Sequence, residues 1–206
     1  MLFLVTEASW EGGTIREGKR SCVFSMNYRR KQLNAEDIEP VLLRIQPSPK
    51  YGGIGVFALR DIKGGTILCD VEKISEEVFV PWEEFAKIDA ATRSFMIDFC
   101  AEDKDGFYSP IDLNYLTIPG HMNHHCEANV GCDADDNFVA IRDIKRGEEV
   151  CLDYAFVISN PAYTMKCACD SKKCRGIVTG NDWKNPAFRK KNSNFLSSNV
   201  RKFANK

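Results

Sequence analysis

Three cysteines lie within eight residues near the C-terminal end of the chain, in the spacing Cys-x-Cys-x4-Cys formed by Cys167, Cys169 and Cys174. Tetrahedral zinc binds four soft ligands, and closely spaced thiolates of this kind are typical of zinc sites. The cluster supplies three ligands, so the fourth must come from elsewhere in the chain. Cys126, which follows two histidines, is the candidate. The spacing therefore predicts a C-terminal segment held by a metal ion.

Cysteine count and composition limit the kind of protein that can hold such a cluster. The chain has 206 residues, 44% hydrophobic and 28% charged, with nine cysteines. These values exclude a disordered, collagen-like or coiled-coil chain. No apolar run approaches the roughly 20 residues of a membrane-spanning helix, and the first residues do not resemble a signal peptide. The odd cysteine count then favours an intracellular protein with reduced thiols and no membrane partner.

Charge is divided unevenly along the chain. Residues 182–206 hold seven basic residues against Asp182 alone, whereas the formal charge of the whole chain is −1. An acidic body suits a cationic substrate, and the alternative is a merely solvated acidic face. The basic end predicts at most weak direct contact with nucleic acid, because it is too short for a domain of that kind.

The order of periodic and broken segments indicates small strands with one main helix. Residues 1–46 contain no long periodic stretch and are expected to form a flanking region with short strands. Two prolines and two glycines between positions 46 and 53 interrupt any helix or central strand, so a new unit is predicted from 47. One helix is predicted from about Pro81 to Cys100. The remainder consists of short strands and loops, so the predicted fold class is mainly β (α+β).

An internal repeat spans residues 58–69 and 140–151. The two segments align at a constant offset of 82 residues, with seven of twelve positions identical. Each copy has the pattern of a strand, an Asp-containing turn, a glycine and a second strand. The repeat predicts two similar hairpins in one β-rich fold.

Several single motifs have ordinary explanations when each is taken alone. Gly53-Ile54-Gly55 begins a match to the dinucleotide fingerprint, but it follows a Pro/Gly loop and leads into a strand rather than a helix, which excludes a Rossmann site. The glycines either let the backbone approach a ligand closely or simply form a turn. Tyr154 alone is typical of a buried core tyrosine.

The order of the motifs is more informative than any one of them. It resembles the order in SET-domain protein lysine methyltransferases over about residues 50–180, including their post-SET zinc segment. The stretch from Arg175 to Trp183 is similar to the compact bacterial-type members. The motifs are Gly-x-Gly at 53–55, Asn-His-x-Cys at 123–126, Gly-Glu-Glu-x-x-x-Asp-Tyr at 147–154 and Cys-x-Cys-x4-Cys-Arg-Gly at 167–176.

The resemblance implies a fold and a domain organisation. The fold is the SET fold: small β-sheets around a knot-like core, one main helix and a zinc-binding post-SET segment. In that core the Asn-His segment and the Tyr154 strand thread through one another. The implied parts are a flanking region at 1–46, a SET domain at 47–160, a post-SET zinc segment at 161–180 and a basic C-terminal extension at 181–206.

The resemblance also implies roles for particular residues. S-adenosylmethionine would be the methyl donor, and the zinc would be structural. Tyr154 would be the catalytic residue and a cofactor contact. The other cofactor-binding residues would be Gly53, Ile54, Gly55, Asn123 and His124, the last two holding the amino-acid and adenine portions of the donor. The zinc ligands would be Cys126, Cys167, Cys169 and Cys174.

Three residues are expected to line the substrate channel: Phe95, Tyr108 and Leu152. Leu152 replaces the usual Phe or Tyr of the family and has no hydroxyl to hold a water molecule, so we expect more than one methyl group to be added. Phe95 stands where many members have a channel tyrosine, which removes one hydrogen bond to the substrate amine. Gly120-His121 replaces the common Arg-Phe.

These features predict an S-adenosylmethionine-dependent protein-lysine N-methyltransferase acting on a basic protein tail such as that of a histone. The alternatives are a methyltransferase of a non-histone protein and a catalytically inactive SET-fold module that binds a basic partner. A zinc hydrolase or redox enzyme fits less well, because four thiolates leave no water on the metal. The expected location is intracellular, at chromatin in the nucleus by analogy with the substrate, or in a host nucleus if the source is a bacterium.

Overall fold

The computed structural model describes residues 40–73 and 77–204, so most of the expected flanking region at 1–46 lies outside the described residues. The strands are β1 (Leu43–Ser48), β2 (Gly53–Ala58), β3 (Ile67–Cys69), β4 (Glu77–Pro81), β5 (Ala101–Asp103), β6 (Gly106–Pro110), β7 (Val130–Cys132), β8 (Phe138–Ala140), β9 (Glu149–Val150), β10 (Thr164–Lys166) and β11 (Ile177–Thr179). The α-helices are α1 (Trp82–Phe85), α2 (Ala90–Phe99), α3 (Pro186–Asn192) and α4 (Ser198–Ala204).

The strands form four small antiparallel sheets, with the orders β1-β2-β9, β3-β8-β7, β4-β6-β5 and β10-β11. The predicted mainly β class with small sheets is thereby confirmed. Buried apolar side chains of the first two sheets meet in one core, among them Val56, Val130 and Val150. Within the described part of the chain, no helix combines the length and apolar character needed to cross a membrane.

Strand β1 runs through Pro47, at the position where the sequence places a domain boundary. It pairs with β2 from Leu43 opposite Ala58 to Ser48 opposite Gly53. Proline is tolerated at this point because β1 is the edge strand of its sheet, and an edge strand leaves one side without ladder hydrogen bonds.

The predicted helix from Pro81 to Cys100 is interrupted, which corrects the expectation of one continuous helix. The first piece, α1, ends at Phe85. Asp89 then has an extended backbone, and its side chain accepts hydrogen bonds from the N–H groups of Ala91 and Thr92. An aspartate that caps a helix in this way begins a new one, so α2 starts at Ala90.

The two repeat copies do not form two separate hairpins, which corrects a second expectation. They pair with each other: the backbones of Ile62 and Ile144 exchange hydrogen bonds of 2.8 and 2.9 Å. Asp61 accepts from the backbone N–H of Arg146, and Asp143 accepts from that of Gly64, both at 2.9 Å. Because each turn offers the groups that the other needs, the copies bind across an approximate two-fold axis. We call this pairing the repeat clasp.

The C-terminal extension packs against the same core. Its Trp183, Leu196 and Val200 belong to the buried apolar cluster that includes Val130 and Phe156. Helix α3 begins with Pro186 after Asn185, whose side chain accepts from the N–H groups at 187 and 188. Proline in the first turn preceded by a capping asparagine is a typical helix start, so the extension is a folded part of the unit.

Candidate active site and metal centre

The candidate site lies where two distant stretches run side by side. The backbone N–H of Leu152 donates to the carbonyl of Asn123, and the N–H of His125 donates to the carbonyl of Leu152, both at 3.0 Å. The pairing is parallel. The buried Asn129 secures it further, because its side-chain oxygen accepts from the N–H of Cys151 at 2.8 Å. This pairing brings together residues about thirty positions apart.

Tyr154 emerges at the end of this pairing. Its hydroxyl donates to the carbonyl of Met122 at 3.1 Å, and its backbone N–H donates to Nδ1 of His124 at 3.2 Å. Burial, with a smaller contribution from Cys151, raises the pKa of Tyr154 to about 12. The phenol is therefore protonated at neutral pH. With its hydrogen directed at Met122, the oxygen keeps its lone pairs free to accept from a bound molecule.

His124 is buried directly behind Tyr154. Burial, and then the charges of Arg175 and His125, lower the pKa of His124 to about 3, so the imidazole is neutral. Since Nδ1 accepts a hydrogen bond, the proton lies on Nε2, which faces the Cys126 sulfur at 3.4 Å. His124 therefore links the tyrosine to the cysteine cluster.

Asp153, next to Tyr154, forms a buried ion pair with Arg175. The guanidinium donates two hydrogen bonds to the carboxylate, of 2.7 and 2.6 Å, and its Nε lies 2.8 Å from Asp182. Burial opposes the charge of Arg175, but the hydrogen bonds that it donates to Asp153 hold its pKa above the usual value. Because Arg175 directly follows Cys174, this pair fixes the cysteine-rich segment to the residue before Tyr154, which begins a 3-10 turn.

Asn123 connects the paired stretches to the Gly-x-Gly strip. Its side-chain amide donates to the carbonyl of Ile54 at 2.9 Å and to Glu149 at 2.8 Å. A Cβ on Gly55 would stand 2.3 Å from that Glu149 oxygen, so a side chain there would require the Glu149 carboxylate to move. A Cβ on Gly53 would meet no atom within 4 Å. Gly53 and Ile54 are exposed, whereas Gly55 is buried beside Asn123.

Tyr154 is one of the residues that line a cavity of about 510 Å³. Most of its walls are apolar, with the carboxylates of Glu77 and Asp98 among the lining groups. Tyr108 and Leu152, both expected in a substrate channel, line it together with Tyr154. Such a space accepts a long apolar side chain that ends in a cationic group. The acidic residues attract the charge, and the apolar walls contact the rest of the side chain.

Phe95 is not among the residues that line this cavity. Its ring packs against Phe99, with the ring centroids 4.7 Å apart, and Phe99 is the residue that reaches the cavity wall. Phe99, at the end of α2, therefore occupies the place that the resemblance gave to Phe95.

Three residues of the site were missed by the sequence reasoning. Tyr163 lines the cavity, and burial, with Tyr154 also contributing, raises its pKa. Glu149 holds Asn123, and Arg175 holds Asp153. The signal for the last two was present, since both lie inside motifs that carry the family resemblance. Tyr163 lies outside every motif, and only the fold brings it to the cavity.

The four cysteines expected to bind zinc come together. Their sulfur atoms all lie within 4.8 Å of one another, and those of Cys126 and Cys167 are 3.7 Å apart. Tetrahedral zinc with bonds of about 2.3 Å needs sulfurs roughly 3.8 Å apart, so the cluster fits the ion. Backbone N–H groups of Cys169, Arg175 and Gly176 each approach a sulfur of the cluster at 3.4 Å.

The pKa shifts within the cluster differ in direction. Burial raises the pKa values of Cys126 and Cys167. Although burial also opposes ionisation of Cys169, backbone hydrogen bonds from Cys126 and Ser171 lower its pKa to about 6. Metal binding requires deprotonated cysteine, so a bound cation would draw the other cysteines to the thiolate form. All four ligands being sulfur, a bound zinc ion would have no open coordination position.

Comparison with known proteins agrees with this geometry. The family model described as "SET domain" matches residues 53–155, half of the chain. The chain belongs to the SET domain family. The matched range covers the strip at 53–55, the paired stretches and Tyr154, and it ends before the cysteine-rich segment. The SET fold, with small antiparallel sheets and few helices, is therefore shown.

The curated relatives are much longer proteins. Over 137 residues the chain is 29% identical to histone-lysine N-methyltransferase trr of Drosophila melanogaster. The aligned region covers 61% of this chain and 5% of the relative. It is 31% identical to TRX1 of Oryza sativa subsp. japonica, covering 61% of this chain and 13% of the relative. It is 33% identical to ASHH2 of Arabidopsis thaliana, and the aligned region covers 62% of this chain and 8% of the relative. Both plant proteins are also named histone-lysine N-methyltransferases. The chain thus spans a small part of the relatives that it matches.

Proposed function

We propose that the protein is an S-adenosylmethionine-dependent protein-lysine N-methyltransferase. One set of contacts carries the proposal: Tyr154 lines the cavity, and the stretch that it pairs with reaches the Gly-x-Gly strip. The Tyr154 hydroxyl is bound to Met122, and the next residue, Asn123, reaches Ile54 of the strip. A donor lying on the strip and a lysine entering through the cavity would therefore meet at one phenol. Membership of the SET family and the names of the relatives support this interpretation.

S-adenosylmethionine, when bound, supplies an electrophilic methyl group. The chain's own task is alignment, since an in-line displacement gains most from holding donor and acceptor in a narrow passage. With its hydrogen directed at the Met122 carbonyl, the Tyr154 oxygen accepts from an amine N–H and so orients the amine. Holding the methyl donor and the amine in line accounts for the expected catalysis, and it requires no metal at the reaction centre.

The substrate lysine must react as the neutral amine. Its reference pKa is about 10.4, and desolvation lowers the pKa of a lysine that enters apolar surroundings. The apolar cavity provides those surroundings, while Glu77 and Asp98, which are among its lining residues, attract the charged form. The acids therefore assist capture, and the inner walls assist loss of the proton.

The residue at position 152 in the cavity wall affects how many methyl groups can be added. Leu152 lines the cavity and offers no hydrogen-bonding group there, because its own backbone groups are engaged with Asn123 and His125. A wall of this kind leaves room for a methylated amine to turn and react again. We expect products with more than one methyl group.

The zinc ion would be held by Cys126, Cys167, Cys169 and Cys174, and its role would be structural. Cys126 lies two residues after His124, and Arg175 follows Cys174. The metal would therefore anchor two segments that both contact the buried surroundings of Tyr154. Its removal should loosen the site rather than delete a reacting group.

We propose a basic protein tail as the substrate, with a histone as the first choice and a location at chromatin in the nucleus. The names of the relatives favour this choice, and so do the acidic residues Glu77 and Asp98 that line the cavity. Transfer of tritiated methyl groups by the purified full chain to core histones, to a mixed cell lysate and to no substrate tests it. We expect label in histone bands.

Label only in other lysate bands would keep the enzyme class and discard the histone. The absence of label in every lane, with zinc bound and S-adenosylmethionine binding detected by calorimetry, would overturn the enzymatic proposal. The protein would then be an inactive binding module.

A further inference from the structure

The C-terminal extension carries basic residues of two kinds, those that pair with acids of the described residues and those that do not. Two of its basic residues are neutralised by acids of the body: Arg201 lies 3.1 Å from Asp136, and Lys202 lies 2.9 Å from Asp103. Four others form no ion pair with any acid in residues 40–73 and 77–204. We name these four the basic face: Lys184, Arg189, Lys190 and Lys191.

The basic face is carried by a folded scaffold. Helix α3 is capped at its start by Asn185, and the flanking Trp183 and Leu196 are buried in the core. Three of the four cations lie in the last turn of α3, where the helix dipole favours positive charge. The dipole is equivalent to roughly half a charge, so it does not account for four cations.

A cavity of about 370 Å³ opens beside the basic face. Arg189 and Lys190 line it together with Arg201 of α4, and the exposed Ser193 adds a hydroxyl. Arginine, lysine and serine side chains are common partners of phosphate oxygens in nucleic-acid complexes. Arg201 is already held by Asp136 and by the carbonyls of Asp133 and Ala134, and Arg189 donates to the carbonyl of Ala204. Lys190 and the Ser193 hydroxyl are therefore the lining groups that would meet a phosphate oxygen.

The surroundings of the face favour nucleic acid over a lipid surface. Segments that bind membranes combine cations with large apolar side chains that enter the lipid. Within residues 182–204 no large apolar side chain is exposed. A purely ionic, polar surface is what binding to a sugar–phosphate backbone requires, since that binding depends on phosphate neutralisation.

We propose that the basic face binds the phosphate backbone of nucleic acid without reading its sequence. The test is fluorescence anisotropy of the full chain with a labelled 20-base-pair DNA duplex of arbitrary sequence, at salt concentrations from 50 to 200 mM. The triple variant Lys184→Gln, Lys190→Gln, Lys191→Gln is compared with a control of equal charge, Lys63→Gln, Lys73→Gln, Lys87→Gln. The control lysines are exposed and lie away from the face.

We expect the wild type and the control to bind the duplex, with affinity that falls steeply as salt rises. The triple variant should bind at least about tenfold more weakly at 50 mM salt, and the slope of log affinity against log salt should decrease by about two to three. Equal losses in both variants would overturn the proposal, as would no binding by the wild type at 50 mM salt. Tighter binding to vesicles of anionic phospholipid than to the duplex would also overturn it. Neither donor nor peptide is present, so the result is independent of methyl transfer.

Discussion

The repeat clasp and the surroundings of Tyr154 use the same kind of contact in opposite settings. In the clasp, Lys145 approaches Asp61 at 3.0 Å with side chains 74% and 63% exposed. Beside the active site, Arg175 approaches Asp153 at 2.6 Å with side chains 23% and 2% exposed. Exposed ion pairs contribute little to stability, whereas breaking a buried pair leaves a charge without a partner. The comparison teaches that the turns of the repeat are scaffold, and that the residues after the second copy form the buried surroundings of Tyr154.

The same contrast is visible in the residues that come directly after each repeat copy. After Cys69 the chain enters a turn at 70–73, in which Val71 lines the cavity and the last two residues are exposed. After Cys151 it enters Leu152, Asp153 and Tyr154, all of which contact the paired stretches or the cysteine segment. Both similar segments therefore lead to the cavity, but the buried network around Asp153 follows the second copy.

The largest effect is expected at the metal. Cys169→Ser should reduce zinc from about one ion per chain to nearly none and unfold the cysteine-rich segment, because the binding free energy of structural zinc is also folding free energy. Zinc content by atomic emission and protection of residues 164–179 by hydrogen exchange measure this. Cys69→Ser, outside the cluster, is the matched control and should keep its zinc. Retained zinc in Cys169→Ser would show that the cluster is not the site.

Removal of Arg175 should have the next largest effect. Arg175→Met leaves the buried Asp153 carboxylate without its partner, and we expect a loss of roughly 3 kcal/mol in the free energy of unfolding. Arg142→Met is the control, because Arg142 forms an exposed pair of 2.6 Å with Glu148, and its loss should stay below about 1 kcal/mol. Urea unfolding compares the two. Equal losses would contradict the distinction between buried and exposed pairs.

A third prediction concerns alkaline pH. The pKa of Tyr154 in the folded protein is about 12, above the reference value of about 10. Folding therefore favours the protonated phenol, and this stability is full below pH 10 and is lost as the pH rises toward 12. The loss is about 1.4 kcal/mol per pH unit between those values. Between pH 9.5 and 11 the wild type should lose about 1 kcal/mol more than Tyr154→Phe in urea unfolding. Parallel losses would show that the phenol is not buried in solution.

The smallest effect is expected in the clasp. Hydrogen bonds from Lys63 and from the Gly64 backbone lower the pKa of Asp143, but this carboxylate is exposed. Asp143→Asn keeps the backbone hydrogen bond and removes a screened charge, so the urea midpoint should change by little more than its error. A change as large as that of Arg175→Met would mean that the two regions do not differ as proposed.

The sequence was most informative where the family resemblance related one motif to another. The spacing of Cys167, Cys169 and Cys174, together with the family resemblance, predicted the cluster that the structure brings together with Cys126. The resemblance also predicted that Asn123 lies beside the stretch that carries Tyr154, and the backbone of Leu152 in that stretch bonds to Asn123.

The remainder depended on contacts between distant positions. The repeat predicted two hairpins, because a repeat seen in isolation does not reveal that its copies pair with each other. The helix from 81 to 100 was predicted as continuous, since the capping role of Asp89 competes with an uninterrupted apolar pattern. Tyr163 has no motif, and its place in the cavity follows only from the fold.

The central claim is that Tyr154, at the end of the buried network, is the residue on which methyl transfer depends. Its most direct test compares Tyr154→Phe with wild type and with Tyr163→Phe in single-turnover transfer to core histones, with zinc content and S-adenosylmethionine binding measured on each protein. We predict that Tyr154→Phe keeps zinc and binds the donor within about threefold, while its transfer rate falls roughly 100-fold or more. Tyr163→Phe should lose less than about tenfold. Transfer by a folded, donor-bound Tyr154→Phe protein at the wild-type rate would contradict the claim.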